Sequence, residues 1–153
     1  MNSILIEPAT NCDVEAMSQC ARKAYRHYIE RLGKEPGPML DDYGTRVSEN
    51  DAYVVRRKGQ IIALLVLVMS DTGCLLDNIA VDPSFTGLGI GKKLMKFAED
   101  QAIRKGYAEL ELYTHELMTE NIAMYLKWGY LVDRHIYEKG YDRVYMKKAL
   151  SVD

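Results

Sequence analysis

Nine consecutive apolar residues, Ile61 to Met69, set the tightest limit on how this chain folds. A membrane-crossing helix needs about 20 such residues, so the run is too short to span a bilayer. The run suits a strand buried on both faces, and such a strand needs a layer of structure on each side. Together with the helices and strands read around it, the run makes mixed α/β the expected class. The 153 residues have the size of one domain and bury roughly two-thirds of their unfolded surface, so a single domain over 1–153 is expected.

The flanking sequence supplies the layers. Ile4-Leu5-Ile6 reads as a short strand, and Thr10 with Asp13 as a capping-box start. Val14, Met17, Ala21, Ala24 and Tyr28 follow at helical spacing up to Gly33. Glu35-Pro36-Gly37-Pro38 is a loop, and a short helix is expected over Met39 to Arg46. Ala52 to Arg57, Ile61 to Met69 and Cys74 to Val81 read as strands, the first two joined at Lys58-Gly59. A helix follows, with Ile90, Leu94, Phe97, Ala98 and Ala102 as its apolar stripe and Gly106 as its stop. Ala108 to Thr114 alternates Ala, Leu, Leu and Thr with Glu, Glu and Tyr, a half-buried strand. A helix from Thr119 to Trp128 closes at Gly129, and two strands, Tyr130 to Glu138 and Tyr141 to Lys148, finish the chain around Lys139-Gly140. The order is β-α-α-β-β-β-α-β-α-β-β.

Composition removes several classes of function. Lys and Arg total 20 against 22 Asp and Glu, a net charge of −2, which gives no electrostatic reason for a nucleic-acid partner. The N-terminus has no basic segment followed by a long apolar one, so neither a signal peptide nor a membrane partner is expected. Cys12, Cys20 and Cys74 are odd in number and lack a C-x-x-C spacing. They describe neither a disulfide framework nor a zinc site, and read as reduced thiols of a cytoplasmic protein. His27, His115 and His135 do not form a metal spacing, and no metal is expected.

Gly87-Leu88-Gly89-Ile90-Gly91 links a strand to a helix start. The first turn of a helix carries N–H groups without acceptors and a partial positive charge. Glycines let a phosphate approach those N–H groups without a Cβ in the way. Lys92 and Lys93 sit in that turn, where a cation opposes the helix dipole by about 0.3–1 kcal/mol. A bound pyrophosphate would reverse the sign. A G-x-x-x-x-G-K-[ST] phosphate loop fails, because Thr86 stands where its first Gly belongs and Lys93 where its Ser or Thr belongs. A G-x-G-x-x-G dinucleotide fingerprint fails at Lys92, and antiparallel-looking strands precede the segment.

Ile79 to Leu94 instead resembles the acetyl-CoA signature of the GCN5-related N-acetyltransferase superfamily, (Gln/Arg)-x-x-Gly-x-(Gly/Ala) after a strand and a V-x-P turn. Asn121 to Tyr130 resembles the family's second signature, with its Asn, Ala, Tyr and Gly-aromatic positions. The family's Gln or Arg falls here on Thr86, or on Ser84 in a looser register. The resemblance implies a central mixed, mostly antiparallel sheet flanked by helices. It also implies acetyl-CoA as cofactor, and transfer of the acetyl group to a primary amine by direct attack in a ternary complex. It places Ile79, Ala80, Val81, Thr86, Gly87, Leu88, Gly89, Ile90, Gly91, Lys92, Asn121, Met124 and Tyr125 at the coenzyme, with Tyr125 as general acid to the leaving thiolate. A phenol with a pKa near 10 is protonated at neutral pH and can donate. Asn121 would bond pantetheine or cap its helix, and Ile79 to Val81 would pair with the pantetheine amides as an added strand would.

The acceptor, a small amine or a peptide, is expected where such folds vary, after the first helix and on the last strands. Glu35, Asp41, Asp42, Tyr43, Tyr137 and Tyr141 lie there, and carboxylates beside aromatics suit an amine with extra positive charge or an aromatic body. Asp41 and Asp42 equally suit the start of a short helix. Asp41, Tyr43, Asp77 and Tyr113 are the acceptor-site candidates, with Asp77, Tyr113 and Glu111 open as the base. A non-catalytic acyl-CoA sensor on the same fold is the reading from another class. A homodimer is compatible with the sequence and not demanded by it.

Overall fold

A computed structural model describes residues 4–151. The ends of the expected 1–153 domain, residues 1–3 and 152–153, lie outside the described residues. Seven strands form one sheet in the order β1-β2-β3-β4-β5-β7-β6: β1 Ile6–Pro8, β2 Ala52–Arg57, β3 Gln60–Ser70, β4 Gly73–Val81, β5 Glu109–His115, β6 Leu131–Glu138 and β7 Tyr141–Ala149. The recorded pairings of β1 with β2, β2 with β3, β5 with β7 and β6 with β7 are antiparallel, and β4 with β5 is parallel. Among the described residues, five α-helices accompany it: α1 Val14–Tyr25, α2 Ile29–Leu32, α3 Tyr43–Ser48, α4 Ile90–Arg104 and α5 Thr119–Lys127. The expected class holds, and residues Ile61 to Leu67 of β3 are all buried.

The chain divides into two compact units, residues 1–67 with 78–98, and residues 68–77 with 99–153. In the first, Met17 and Ala21 of α1, Val54 of β2, Leu64 of β3 and Leu94 of α4 are fully buried. Two polar pins add to that core. Thr10 N–H donates to Asp13 Oδ2 at 2.7 Å, closing the entry to α1, and the same carboxylate takes two bonds from Arg56 of β2 at 2.7 and 2.6 Å. The guanidinium holds the Asp13 carboxyl down at about 2. In the second unit, Leu76 of β4, Leu110 and Leu112 of β5, Tyr130 just before β6 and Met146 of β7 are buried. There β5 pairs with β7 over seven register positions, from Glu109↔Ala149 to His115↔Arg143.

Four local readings need correction. The first strand begins two residues later than Ile4, at Ile6, where Ile6 pairs with Val55 and Pro8 ends the ladder opposite Tyr53. The first helix does not run unbroken to Gly33. It tightens to a 3₁₀ turn at Arg26–Tyr28 before α2. Residues three apart eclipse in such a turn, which brings Tyr25 and Tyr28 both inward. The helix expected over Met39 to Arg46 begins only at Tyr43 and runs to Ser48. A 3₁₀ turn at Gly37–Met39 precedes α3, and Asp42 starts α3 by accepting Thr45 N–H at 3.1 Å and Thr45 Oγ1 at 2.8 Å. This side-chain cap sets where the helix starts. Ala108 is exposed and precedes β5, its carbonyl accepting Leu150 N–H at 2.9 Å.

Candidate functional site

In the first unit β4 ends in an asparagine-centred network. Asn78 is buried, and its Nδ2 donates to Tyr43 Oη at 3.0 Å, which in turn donates to the Pro38 carbonyl at 2.6 Å. Tyr25 Oη lies 2.8 Å from both Asn78 Oδ1 and the Ile79 carbonyl and shares its proton between them. Strand β4 therefore arrives at Ile79, Ala80 and Val81 held by α1 and by the segment before α3. The signal for this was present in the sequence: Asn78 interrupts the inward series Cys74, Leu76, Ala80. The network also relocates Tyr43. At 1% exposure, with its hydroxyl engaged twice, it is a core residue, and the expectation that it touches an acceptor does not fit its burial. Asp41 is bound to Arg46 at 3.0 Å, and Asp42 is spent on its cap.

After Val81 the chain turns through Asp82, whose carboxylate accepts Ser84 N–H at 2.9 Å, and a 3₁₀ turn at Pro83–Phe85. The Thr86 hydroxyl donates to the Pro83 carbonyl at 3.0 Å, so the one proton it could offer a phosphate is used within the turn. Gly87 and Gly89 then take φ of +81° and +79°, the left-handed region that a side chain opposes. Nothing lies within 4 Å of where a Cβ would sit on either glycine, so both are open to an approaching group. The first helical N–H with a backbone acceptor is that of Lys93, bonded to Gly89 O at 3.1 Å. Among the described residues, the N–H groups of Gly87 to Lys92 find no backbone carbonyl. Leu88, Lys92 and Lys93 are exposed, and Ile90 is buried as the anchor of the helix start. Backbone donors converge with lysine charge at a clash-free surface, which fits an anionic phosphate group.

In the second unit α5 carries the other predicted set. Asn121 is the third residue of the helix and not its cap, which is Met118. Its Nδ2 lies 3.7 Å from Met118 Sδ. Met124 is half-buried and Tyr125 is buried. The ring of Tyr125 meets Trp128 edge-on at 5.9 Å and Tyr130 at 6.2 Å.

Asp77 and Tyr113 are brought together as expected for neighbouring strands: Tyr113 Oη donates to Asp77 Oδ1 at 2.9 Å. The Arg143 guanidinium covers the Tyr113 ring at 4.2 Å, and Tyr145 lies beside it at 5.4 Å. Burial, and after it the Asp77 charge, push the Tyr113 hydroxyl well above its ordinary pKa, so it is a donor and not a base. Glu111 is clamped by Arg134 at 2.7 Å. His115 accepts Leu117 N–H on Nδ1 at 3.0 Å, and among the described residues no cluster of His, Cys, Asp and Glu could hold a metal. A hollow of about 430 Å³ at the starts of β4 and β5, lined by Ser70, Thr72, Tyr107, Glu109 and Lys147 among others, includes the base candidate Glu111 but none of the predicted cofactor residues.

Residues 14–130 match the acetyltransferase (GNAT) family model, and the match runs through both units. The chain belongs to this family of acetyltransferases, whose cofactor is acetyl-CoA. Among curated proteins none matches the chain by sequence. Among solved structures it is similar to PaiA N-acetyltransferase from Thermoplasma acidophilum in complex with coenzyme A, with 21% identity and a TM-score of 0.78 over 97% of this chain and 99% of that one. It is also similar to the ribosomal-protein-S18-alanine N-acetyltransferase of Escherichia coli, with 18% identity and a TM-score of 0.76 over 99% and 96%. Ard1 from Thermoplasma volcanium gives 16% identity and a TM-score of 0.77 over 99% and 100%. These likenesses establish the fold. No helix among the described residues is long and apolar enough to cross a membrane.

Proposed function

We propose that this chain is an N-acetyltransferase that passes an acetyl group to a primary amine by direct attack in a ternary complex. The observation that carries the reading is the helix start at Gly87–Gly91, where N–H groups without backbone acceptors, two left-handed glycines and two lysines coincide. When bound, acetyl-CoA supplies an activated thioester. The N–H groups of Gly87 to Lys92 hold its pyrophosphate. The recorded parallel ladder of β4 with β5 is two pairs long, Leu75↔Glu111 and Leu76↔Leu112. Ile79, Ala80 and Val81 lie beyond it on β4 and offer backbone groups to the pantetheine amides, with one N–H polarising the acetyl carbonyl. Asn121 and Met124 line the pantetheine arm.

Tyr125 Oη gives its proton to the departing sulfur, and Asp77, whose partner Tyr113 is a fixed donor, takes the proton from the amine nitrogen. Glu111 is the weaker base candidate because Arg134 occupies it. Asp77 on β4 and the aromatics Tyr137 and Tyr141 on the last strands favour an acceptor with additional positive charge or an aromatic body. An acceptor screen that reads release of free CoA tests the whole reading. The expected result is turnover with a polyamine or an aromatic amine above that with an acidic amino acid. CoA binding without turnover of any amine or peptide would make the chain an acyl-CoA sensor instead.

A further inference from the structure

Helix α5 ends in a way that ties the proposed acid to a buried polar cluster. Gly129 takes φ of +98°, Gly129 N–H donates to the Leu126 carbonyl at 3.1 Å, and Tyr130 N–H reaches back to the Tyr125 carbonyl at 2.9 Å. This pair of bonds is a Schellman cap, which usually brings the residue after the glycine against the residue whose carbonyl it bonds. Here those two residues are Tyr130 and Tyr125, and their rings meet at 6.2 Å and 69°. Tyr130 thus touches Tyr125 through both backbone and ring.

Tyr130 is itself held. It is fully buried, and a buried hydroxyl without a partner is costly where a phenylalanine would be free of that need. Its hydroxyl donates to Glu99 Oε2 of α4 at 2.8 Å. Glu99 is paired with Lys148 of β7 at 3.2 Å, and the Lys148 ammonium lies 5.6 Å from the Tyr130 ring centre. The Lys148 stem passes so close to Gly129 that a Cβ there would meet its Cε at 3.2 Å. Burial and the Glu99 bond push the Tyr130 hydroxyl above its ordinary pKa, so it stays a donor. Packing alone explains a large ring at this position. It does not explain a hydroxyl, a carboxylate and an ammonium arranged in series behind it.

We infer that Tyr130, anchored by Glu99 and Lys148, is a positioning residue that fixes the ring of Tyr125 for proton delivery. The inference rests on the acid role proposed above. A group displaced by about 1 Å can lose up to 10²-fold in rate, so an unpinned but still packed ring is expected to cost about ten-fold.

The test measures kcat and KM with acetyl-CoA and the best amine of the acceptor screen, on folded proteins checked by thermal melting and by calorimetric titration of CoA. Tyr130→Phe and Glu99→Leu are each expected to lower kcat about ten-fold, with the KM for acetyl-CoA within about two-fold. Glu99→Gln keeps an acceptor oxygen for Tyr130 and is expected to recover most of the loss seen with leucine. In a Tyr125→Phe background, Tyr130→Phe is expected to have no further effect on kcat, because residues that act as one unit are non-additive. An equal fold-loss in both backgrounds, or an unchanged kcat in Tyr130→Phe and Glu99→Leu, overturns the inference and leaves the cluster as packing. Full kcat in Tyr125→Phe itself removes the acid assignment and the inference together, a result separate from the first.

Discussion

The start of α4 and the end of α5 meet the same physical demand in opposite ways. Every helix leaves about four N–H groups at its start and four carbonyls at its end without intrahelical partners. At α5 the protein closes the account: Trp128 N–H reaches the carbonyls of Met124 and Tyr125, Gly129 that of Leu126, and Tyr130 that of Tyr125. At α4 it leaves the groups open, with Gly87 and Gly89 exposed and, among the described residues, no backbone acceptor for the N–H groups of Gly87 to Lys92. The entry to α1 is a control, since Asp13 and Thr10 close it in the ordinary way. An open end in water is cheap only while water or a ligand serves it, so it marks a place to bind. A closed end immobilises its last side chains, and so suits a residue that must hold one orientation.

The largest expected effect breaks the closed end. Tyr125→Phe keeps the ring and its contacts with Trp128 and Tyr130 but removes the donor. We expect kcat to fall by about 10²–10⁴-fold with CoA affinity almost unchanged. Steady-state kinetics under conditions where chemistry limits the rate check it, and an undiminished kcat would assign the ring to packing. Next, Gly89→Val places a branched side chain at a φ of +79° on the open end. We expect CoA affinity to fall about hundred-fold, or about 2.7 kcal/mol, with a smaller loss of melting temperature from backbone strain. Calorimetry that returned the wild-type Kd would remove this loop from the cofactor site.

The control helix gives the third effect. Asp13 titrates at about 2 in the folded protein against an ordinary 3.8. A lowered folded pKa adds stability that is complete above the unfolded value and is lost as pH falls through the folded one. Asp13→Asn is therefore expected to cost about 2 kcal/mol near neutral pH. The difference from wild type should shrink between about pH 5 and pH 1. Urea titrations at pH 7 and pH 2 read this directly, and an equal gap at both would contradict it. The smallest effect has two signs. Lys93→Ala relieves the cation at the α4 start and should stabilise the free protein by about 0.3–1 kcal/mol while weakening CoA binding. An unchanged or tighter CoA affinity would show that the lysine does not face the bound anion, and a loss of stability would show that its charge does not oppose the helix dipole.

These comparisons also show where sequence reasoning reaches. The run in β3, the glycine turn before α4 and the Gly129 stop were legible because each is a local rule written in adjacent residues. The turn that joins the last two strands was legible in Lys139-Gly140, which adopts φ of +54° and +84°, but the order that sets β7 beside β5 was not. What escaped was non-local. Asn78 could be seen to break an apolar alternation, but not to meet Tyr25 and Tyr43. Glu99 reads as an ordinary polar residue of an amphipathic helix, and only the fold brings Tyr130 and Lys148 to it. Asp42 was legible as a helix start, and its bonds to Thr45 place that start three residues after Met39. Tyr43 was misplaced because a tyrosine beside carboxylates reads as a binding surface until its burial is known.

The last strand of the sheet bears on how the protein behaves in a crowded solution. β6 lies at the end of the strand order with Leu131, Val132 and Tyr137 exposed, which is the makings of a template for unwanted strand-to-strand growth. Its ladder with β7 slips between Val132 and Arg134, so Asp133 stands unpaired at a bulge, and two charges interrupt the apolar stretch. An incoming strand would meet a kinked edge and an Asp133–Arg134 ion pair at 2.6 Å before it could zip. The irregularity thus acts as a guard against fibre-like association, at a position that has no part in the chemistry.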